Sequence, residues 1–430
     1  MSTAGEAAPM TVAYLMSRFP TVSETFILYE MIELERAGLR VEVFPLIRER
    51  VDVVHPGAES LIRRAQHTRL LSRATMGAQL HWLRRRPRAY LDGWRRALLG
   101  NARSPRFLAR ALVVVPLAAR FAQRMDELGV DRVHAHWATH PTLAAYIVQR
   151  LTGRPYSFTG HAHDIYVDRA MLEEKIRRAR FVVTISEFNR GLLTRLYGPE
   201  AGEKTVVVRC GVDPTAFPAG TPSTRESGDP VTILCVASLK DYKGHRYLLD
   251  ACRILRDKEA PFRCLLVGEG EDRPQIEKRI AHLGLGAEVE MLGQLPRDRV
   301  AALMREADLM VLPSVTTPSG KMEGIPVSLM EALAVGLPAV ATSLSGVSEL
   351  IEDGRTGLLV PEGDAEQLAD AIERLIHDPE LAARLASAGR EKVMAEFDLR
   401  RNAAVLRELI VHGPGLAHGP SERMAGTPAP

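Results

Sequence analysis

Short apolar runs alternate with helix-like stretches along the chain, and this pattern occurs twice. In the first half the apolar runs are TVAYLM, VEVFPLI, RVHAH, YSFTG, FVVTIS and TVVVR. In the second half they are VTILCVA, FRCLLVG, EVEMLG, LMVLPS, PAVAT and TGLLVP. The apolar spacing between runs predicts helices at Ser23–Ala37, Gly244–Arg256, Asp272–His282, Arg297–Glu306 and Pro326–Val335. Strands that alternate with helices form parallel sheets, so the predicted fold class is α/β with two doubly wound, Rossmann-like domains.

The two halves meet at residues 211–230, which are dense in Pro, Gly, Ser and Thr and are predicted to be a linker. The predicted domains are therefore residues 10–210 and 231–395. A C-terminal helix at 396–412 is expected to cross back to the first domain, and a Gly/Pro-rich tail at 413–430 is predicted to be disordered. Ligands of open parallel sheets bind outside the carboxyl ends of the strands, so the two sheets are expected to face one interdomain cleft.

Composition narrows the class of protein further. A chain of 430 residues with a formal net charge of only +3 is not a nucleic-acid polycation. It has no apolar run of about 18 residues, and MSTAGEAAPM lacks the basic and apolar parts of a secretion signal. The four cysteines form no Cys-x-x-Cys pair, which is typical of a reducing compartment. We therefore expect a cytoplasmic protein.

The local charge is uneven within a predicted helical insertion at about 58–126. Residues 61–124 contain fifteen arginines and a single acid, Asp92, with Trp82, Tyr90, Trp94 and Phe107 interleaved. A basic amphipathic segment of this kind favours peripheral contact with an anionic membrane, at the inner face of the cell membrane. A solvated basic face on ordinary helices is the alternative.

The stretch EGIPVSLMEALAVG places two carboxylates, Glu323 and Glu331, around a Gly, a Pro and an apolar run. On one continuous helix they would be about 12 Å apart along the axis and rotated by roughly 80°, whereas a retaining glycosidase needs its carboxyl groups about 5–5.5 Å apart. Proline favours the first helical position, so the helix is predicted to begin near Pro326. The amides of Val327 and Ser328 would then face a bound anion. This arrangement predicts a diphosphate at the helix start with a carboxylate on each side; two solvated acids beside a packing helix are the alternative.

The longer segment EGIPVSLMEALAVGLPAVATSLSGVSELIEDGRTGLLVPEGDAEQLADAI resembles the donor-binding segment of retaining glycosyltransferases of family 4. The resemblance implies the GT-B fold, with Glu323, next to Gly324, on hydroxyls of the transferred sugar and Glu331 on the nucleotide ribose. VASLKDYKGHRYLL resembles the start of the family's nucleotide domain, which implies that Lys243 contacts the donor diphosphate. Ser238 stands where the family usually has an arginine, and Lys240 is a candidate substitute. LLVGEGEDRP adds Gly268 and Gly270 to the predicted donor site.

Three further segments resemble the branch that builds colanic acid and similar exopolysaccharides, namely SRFPTVSETFILYEM, HAHWATHPTLAA and SFTGHAHDIY. The resemblance implies that His161 contacts the reacting region, with Asp164, Ser23 and Glu24 on the acceptor side. It implies a retaining, metal-independent transfer of a sugar from a nucleoside-diphosphate sugar to an acceptor hydroxyl. The co-substrate would be the nucleotide sugar, with no further cofactor, and the acceptor a lipid-linked glycan or exopolysaccharide precursor.

Other functions stay open at this point. His134/His136 and His161/His163 are His-x-His pairs at strand ends, a spacing found in metal-dependent hydrolases. Ser238 in place of arginine leaves room for a catalytically silent GT-B binding subunit. A phosphorylase or a sugar-nucleotide epimerase would use the same two-domain cleft.

Overall fold

The computed structural model describes residues 9–21, 25–49, 57–220 and 229–414. The chain divides into two compact units. The first contains the chain up to Ile185, then Asn189–Val208, and the chain from Arg400 onward. The second contains Ser186–Phe188 and Arg209–Leu399. Residues 221–228 of the predicted linker and the predicted tail from 415 onward lie outside the described residues.

The first unit is built on a six-stranded parallel sheet. Its strands are β1 Thr11–Phe19, β2 Arg40–Arg48, β3 Arg132–His136, β4 Tyr156–Gly160, β5 Val182–Thr184 and β6 Thr205–Val207. They lie in the order β2-β1-β3-β4-β5-β6, so each apolar run of the first half forms a strand as predicted. Helices cover both faces, which is why β1 is buried over most of its length.

Among the described residues, ten helices of the first unit lie between Thr25 and Lys204, and one further helix follows the second unit in the sequence. They are α1 Thr25–Arg36, α2 Glu59–Arg64, α3 Arg73–Arg85, α4 Pro87–Asn101, α5 Pro105–Glu127, α6 His140–Thr152, α7 His163–Tyr166, α8 Leu172–Arg178, α9 Glu187–Tyr197, α10 Pro199–Lys204 and α18 Leu399–His412. Leu406, Leu409 and Ile410 of α18 are buried in the same core as Val12 of β1 and Val41 of β2. The last helix therefore packs with the first unit.

The basic insertion forms the helices α2 to α5. Ser72 and Ser104 begin α3 and α5, since each hydroxyl accepts a backbone N–H three residues on, at 3.2 and 3.4 Å. Trp82 of α3 is buried and donates from Nε1 to the Ala119 carbonyl of α5, at 2.8 Å. No helix in the described part of the chain is both long and apolar enough to cross a membrane.

The second unit has its own six-stranded parallel sheet. Its strands are β7 Val231–Val236, β8 Phe262–Val267, β9 Val289–Gly293, β10 Leu309–Leu312, β11 Ala339–Thr342 and β12 Leu358–Val360. Its helices are α11 His245–Asp257, α12 Arg273–Leu283, α13 Arg297–Glu306, α14 Val327–Val335, α15 Val347–Leu350, α16 Ala365–His377 and α17 Pro379–Glu396. The order β12-β11-β10-β7-β8-β9 changes direction between β10 and β7. In a doubly wound sheet, that switch point is where ligands bind.

Candidate functional site

The loops that follow β7 and β10 bring two of the predicted donor-site residues together. After β7 the chain makes a tight 3-10 turn at Asp241–Lys243 before α11, and after β10 a long loop leads to α14. Gly244 has φ +71°, and a Cβ there would lie 1.8 Å from the Pro313 carbonyl oxygen. Only glycine allows the first loop to approach the second so closely.

Lys243 and Glu323 form an ion pair between Nζ and Oε2. Each side chain is only 12% exposed, so Lys243 is not the surface lysine that a helix start alone would explain. Burial lowers the pKa of Lys243, but the charge and hydrogen bond of Glu323, together with Tyr242 and Cys235, outweigh burial and leave that pKa above its ordinary value. Two residues predicted to hold the diphosphate and the sugar thus pair with each other.

Glu323 is positioned by the loop after β11. The Ser345 hydroxyl donates to the Glu323 carbonyl oxygen at 2.5 Å, and Ser345 itself has a left-handed φ of +44°. A non-glycine residue in that region is strained, and such strain is retained where the surrounding structure holds it. Gly324 is buried immediately after Glu323.

Helix α14 begins at Val327 directly after Pro326, as predicted. Val327 and Ser328 form its first turn, where backbone N–H groups have no partner within the helix. Glu331 lies one turn further on, and its Oε1 is 3.8 Å from Nε of Arg297. Burial raises the pKa of Glu331 to about 7, although Arg297 opposes this. The two carboxylates predicted to contact the donor, Glu323 and Glu331, thus flank the helix start in the sequence.

Sequence reasoning missed Arg297 and Lys321. Arg297 begins α13 and stacks on the Phe217 ring with its guanidinium carbon 4.8 Å from the ring centre. Lys321 lies 4.4 Å above the Tyr242 ring, which also carries Lys243 at 5.1 Å. Neither Arg297 nor Lys321 lies in one of the sequence motifs, so their positions beside the predicted donor site become visible only in the folded structure.

The remaining donor-site predictions have a structural explanation of their own. A Cβ on Gly268, whose φ is +142°, would lie 1.9 Å from the Ala237 carbonyl oxygen, and one on Gly270 would lie 2.2 Å from that of Leu239. Both glycines therefore allow the loop after β8 to pack against the loop after β7. Lys240 is exposed beside the same loop. The contacts of these residues with a donor stay predictions.

In the first unit, His161 ends a chain of hydrogen bonds that begins on β1 and α1. The hydroxyl of Tyr14 donates to Oε1 of Glu30 at 2.8 Å, and Nε2 of His136 lies 2.9 Å from the same oxygen. Nδ1 of His136 is 3.1 Å from Nε2 of His161. Burial lowers the pKa of His136 and of His161 to about 3, and burial raises the pKa of Glu30 to about 7. Sequence reasoning missed Glu30.

Asp164, predicted on the acceptor side next to His161, has no exposed surface, and its role toward an acceptor stays a prediction. Its carboxylate accepts the backbone N–H groups of His161, Ala162 and Ala138, at 3.1, 2.8 and 2.8 Å. Asp164 therefore holds the loop that carries His161. Lys175, also missed from the sequence, is buried and donates to three backbone carbonyl oxygens, those of Ala138, Thr139 and Ala170. Ser23 and Glu24 lie outside the described residues.

The predicted histidine pairs do not converge as four ligands. In the described part of the chain, one group of three possible ligands lies close enough for a metal, namely Glu30, His134 and His136, with atoms within 4.8 Å of one another. Both nitrogens of His134 are engaged, with Ser157 Oγ at 2.8 Å and Thr159 Oγ1 at 2.9 Å. Hydrogen bonding within the sheet accounts for His134 without a metal.

Two family profiles together match most of the chain. The family described as Glycosyltransferase Family 4 matches residues 23–216, and the one described as Glycosyl transferases group 1 matches residues 221–392. The putative colanic acid biosynthesis glycosyltransferase WcaL of Salmonella typhimurium is 32% identical over 93% of this chain and 100% of its own length. The amylovoran biosynthesis glycosyltransferase AmsK of Erwinia amylovora is 38% identical over 48% of this chain and 51% of its own length.

Solved structures agree on the fold. A glycosyltransferase from Rickettsia africae ESF-5 superposes with a TM-score of 0.70 at 20% identity, covering 95% of this chain and 100% of that one. Anabaena Alr3699/HepE, crystallised with UDP-glucose, gives 0.68 at 20% identity over 93% and 98%. The predicted GT-B fold is confirmed by these neighbours and by the two parallel sheets. Because WcaL matches along its whole length, the chain belongs to glycosyltransferase family 4 and is a glycosyltransferase.

Proposed function

We propose that this glycosyltransferase moves a sugar, with retention of configuration, from a nucleoside-diphosphate sugar to an acceptor hydroxyl in exopolysaccharide assembly. The observation that carries the proposal is the buried Lys243–Glu323 pair beside the start of α14. The names of WcaL and AmsK, with colanic acid and amylovoran, support the product class. The UDP-glucose complex of HepE supports the donor class.

Each donor-site residue has a role that follows from its chemistry. The N–H groups of Val327 and Ser328 and the ammonium of Lys243 bind the diphosphate, since a helix start and a cation both favour negative charge. Glu323, freed from Lys243 as the phosphate arrives, accepts hydroxyls of the transferred sugar. Glu331 accepts hydroxyls of the ribose. Lys240 supplies a further positive charge near the position that Ser238 leaves without one.

These groups act on the leaving group. The bond between the anomeric carbon and the diphosphate oxygen breaks, and the acceptor oxygen bonds to the same face of the sugar. The acceptor proton passes to the departing phosphate oxygen. The negative charge that develops there is stabilised by Lys243 and the helix amides, which are fixed before the reaction. Because the protein supplies this charge, we propose that transfer needs neither a metal ion nor a cofactor.

A donor screen tests this proposal. Release of nucleotide from UDP, GDP and ADP sugars is measured without acceptor and with excess chelator, for wild type, Glu323→Gln and Lys243→Ala. We expect one donor to be hydrolysed slowly, and both variants to lose on the order of 10²-fold or more, the typical cost of removing one preorganised charge donor. Lys258→Ala is the matched control, because Lys258 pairs with Asp370 and Glu373 on the surface of the second unit.

Three other outcomes contradict parts of the proposal. Unchanged rates in both variants would exclude the assigned site. Activity abolished by the chelator would contradict metal independence and favour the histidine cluster of the first unit. A protein that binds no nucleotide sugar would instead be the silent GT-B subunit that Ser238 leaves open.

For the acceptor and the location, we propose a lipid-linked glycan used at the inner membrane face by a cytoplasmic enzyme. Support comes from α3, where Met76, Leu80 and Leu83 are 61%, 47% and 42% exposed. These positions are spaced i, i+4 and i+7, so they form one apolar stripe on the helix. Arginines lie next to this stripe. A cavity of about 600 Å³ between α3 and α5 is lined by Leu80 of the stripe and by Arg84, Arg85 and Arg120.

A further inference from the structure

The chain of hydrogen bonds through Glu30, His136 and His161 restricts where the ring protons lie. A neutral histidine has one N–H donor and one bare nitrogen acceptor. Both histidines have pKa values of about 3, so both rings are neutral near pH 7. The state of each ring is then set by the bond that its other nitrogen makes.

With Glu30 ionised, only one arrangement satisfies every contact. Oε1 of Glu30 accepts from Tyr14 and from His136, so His136 carries its proton on Nε2. Its Nδ1 is therefore bare and accepts from His161, which must carry its proton on Nε2. Nδ1 of His161 is left bare, and it has no hydrogen-bond partner among the described residues.

Protonation of Glu30 reverses the whole chain. A Glu30 carboxyl proton donates to Nε2 of His136, which moves that ring's proton to Nδ1. Nδ1 of His136 then donates to Nε2 of His161, and the proton of His161 moves to its own Nδ1. The outward nitrogen of His161 changes from an acceptor into a donor, although neither histidine changes its charge.

We infer that Glu30 and His136 are positioning residues that keep Nδ1 of His161 bare, so that this nitrogen accepts a hydrogen bond from a hydroxyl of the sugar substrate. The inference rests on the proposed function for the identity of the substrate. Phe26 and Trp137 pack on the His161 ring, with ring centres 5.1 and 4.6 Å away, and fix its plane. The ring's orientation and its proton are thus set by different neighbours.

Among the titratable groups of this hydrogen-bonded cluster, Glu30 is the one that gains or loses a proton near neutral pH. Tyr14 faces it from β1, and burial raises the pKa of this phenol well above its ordinary value. His134 and His136 face it from β3, with pKa values of about 3, and His161 follows from the loop after β4. The pKa of Glu30 itself is about 7.

Nuclear magnetic resonance of the full-length, ligand-free protein labelled with ¹⁵N-histidine tests the inference directly, because it distinguishes protonated from bare ring nitrogens. His161 is assigned by comparison with His161→Gln. At pH 8 we expect its proton on Nε2, and below about pH 6 on Nδ1, with His136 changing at the same midpoint. In Glu30→Gln the state should not change between pH 5 and 9. His134→Asn, a buried histidine outside the chain of bonds, should keep the change.

Tyr14→Phe provides a second test that remains available if the Glu30→Gln variant fails to fold. The Tyr14 hydroxyl lowers the pKa of Glu30, so its removal should move the midpoint to higher pH. A His161 ring protonated on Nδ1 at pH 8 would overturn the inference, as would a pH change that persists in Glu30→Gln. Because these spectra need no donor, they are independent of whether the proposed function fails.

The same variants have a kinetic consequence when a donor is hydrolysed. At saturating donor, where the pH-dependent affinity due to Glu331 no longer limits the rate, wild-type turnover should fall on the acid side of about pH 7, because Nδ1 of His161 becomes a donor there. Under the same condition, Glu30→Gln should lack that acid limb. A purely structural role for Glu30 would lower the rate at every pH without moving the profile. An unchanged acid limb in Glu30→Gln would overturn the inference.

Discussion

Glu331 is a carboxylate whose burial works against its proposed task. Its pKa rises from 4.5 to about 7, so the free enzyme holds it partly protonated at neutral pH. Because the folded pKa exceeds the unfolded one, its contribution to the free energy of unfolding is fully present below pH 4.5 and is lost as pH rises through 7. Ionising Glu331 at this site therefore lowers the free energy of unfolding, and a loss of stability in favour of activity is common at functional sites.

This shift predicts a pH-dependent affinity for the nucleotide. Only the ionised carboxylate accepts two ribose hydroxyls, so lowering the pH from 8 to 6 should weaken binding up to roughly tenfold. Calorimetric titration with UDP, GDP and ADP measures the effect. Glu331→Gln should bind the nucleotide weakly and with a much smaller pH dependence, because it has no carboxylate to titrate at this position. Titration of the nucleotide's own phosphate affects both proteins equally and therefore cancels in the comparison. Equal pH dependence in the two proteins would contradict the assignment.

At the residue scale, the family resemblance identified the polar residues to which it assigns a role, and not the others within the same segments. Lys243 and Glu323 were both predicted, and the structure pairs them although they are 80 positions apart. Glu30 was not predicted, because its importance comes from His136, which lies 106 positions away on another strand. Nothing local distinguishes Glu30 from the other acids of α1. Its partners appear only when β1, β3 and α1 pack together.

At the element scale the sequence was far more informative. Every apolar run predicted as a strand forms one, and the predicted helices of the second unit match within a residue at each end. Buried parallel strands are apolar on both faces, which makes them easy to recognise. The tight turn at Asp241–Lys243 was not predicted, because it depends on the close approach of Gly244 to the Pro313 carbonyl.

Helix α3 carries the element-scale prediction. Its exposed stripe should enter the headgroup region of an anionic membrane while nearby arginines contact lipid phosphates. Replacing Arg84, Arg86 and Arg88 by alanine should weaken binding to phosphatidylserine vesicles on the order of a hundredfold, at about 1 kcal/mol per basic residue. Vesicle sedimentation at low and physiological salt measures this.

The control for α3 keeps the same change in charge. Arg253, Arg355 and Arg384 are exposed on helices and loops of the second unit, and their triple alanine variant should bind vesicles like wild type. Equal binding of the wild type to neutral and anionic vesicles at low salt would contradict a membrane role. The basic stretch would then be a solvated surface.

At the scale of the whole molecule, the order of the chain does not follow the order of the folded units. The second unit ends at Leu399, and α18 then completes the core of the first unit. Arg407 donates to the Ala37 carbonyl at 2.9 Å, and Arg180 donates to that of His412 at 2.7 Å. The first unit therefore cannot bury its sheet until the last residues of the second have been made.

Ending the chain after Asp398 should consequently unfold the first unit and spare the second. Leu406, Leu409 and Ile410 are at most 1% exposed, and losing their burial costs about 5 kcal/mol or more, at 1.5–3 kcal/mol per side chain. That is comparable to the whole stability of a typical domain. Hydrogen exchange should show β1 amides losing protection while β7 amides keep it, and nucleotide should still protect the second unit.

Ending the chain after Pro414 instead keeps α18 and should leave both sheets protected. Equal protection of β1 in the two truncated chains would mean that the first unit folds from its N-terminal residues alone.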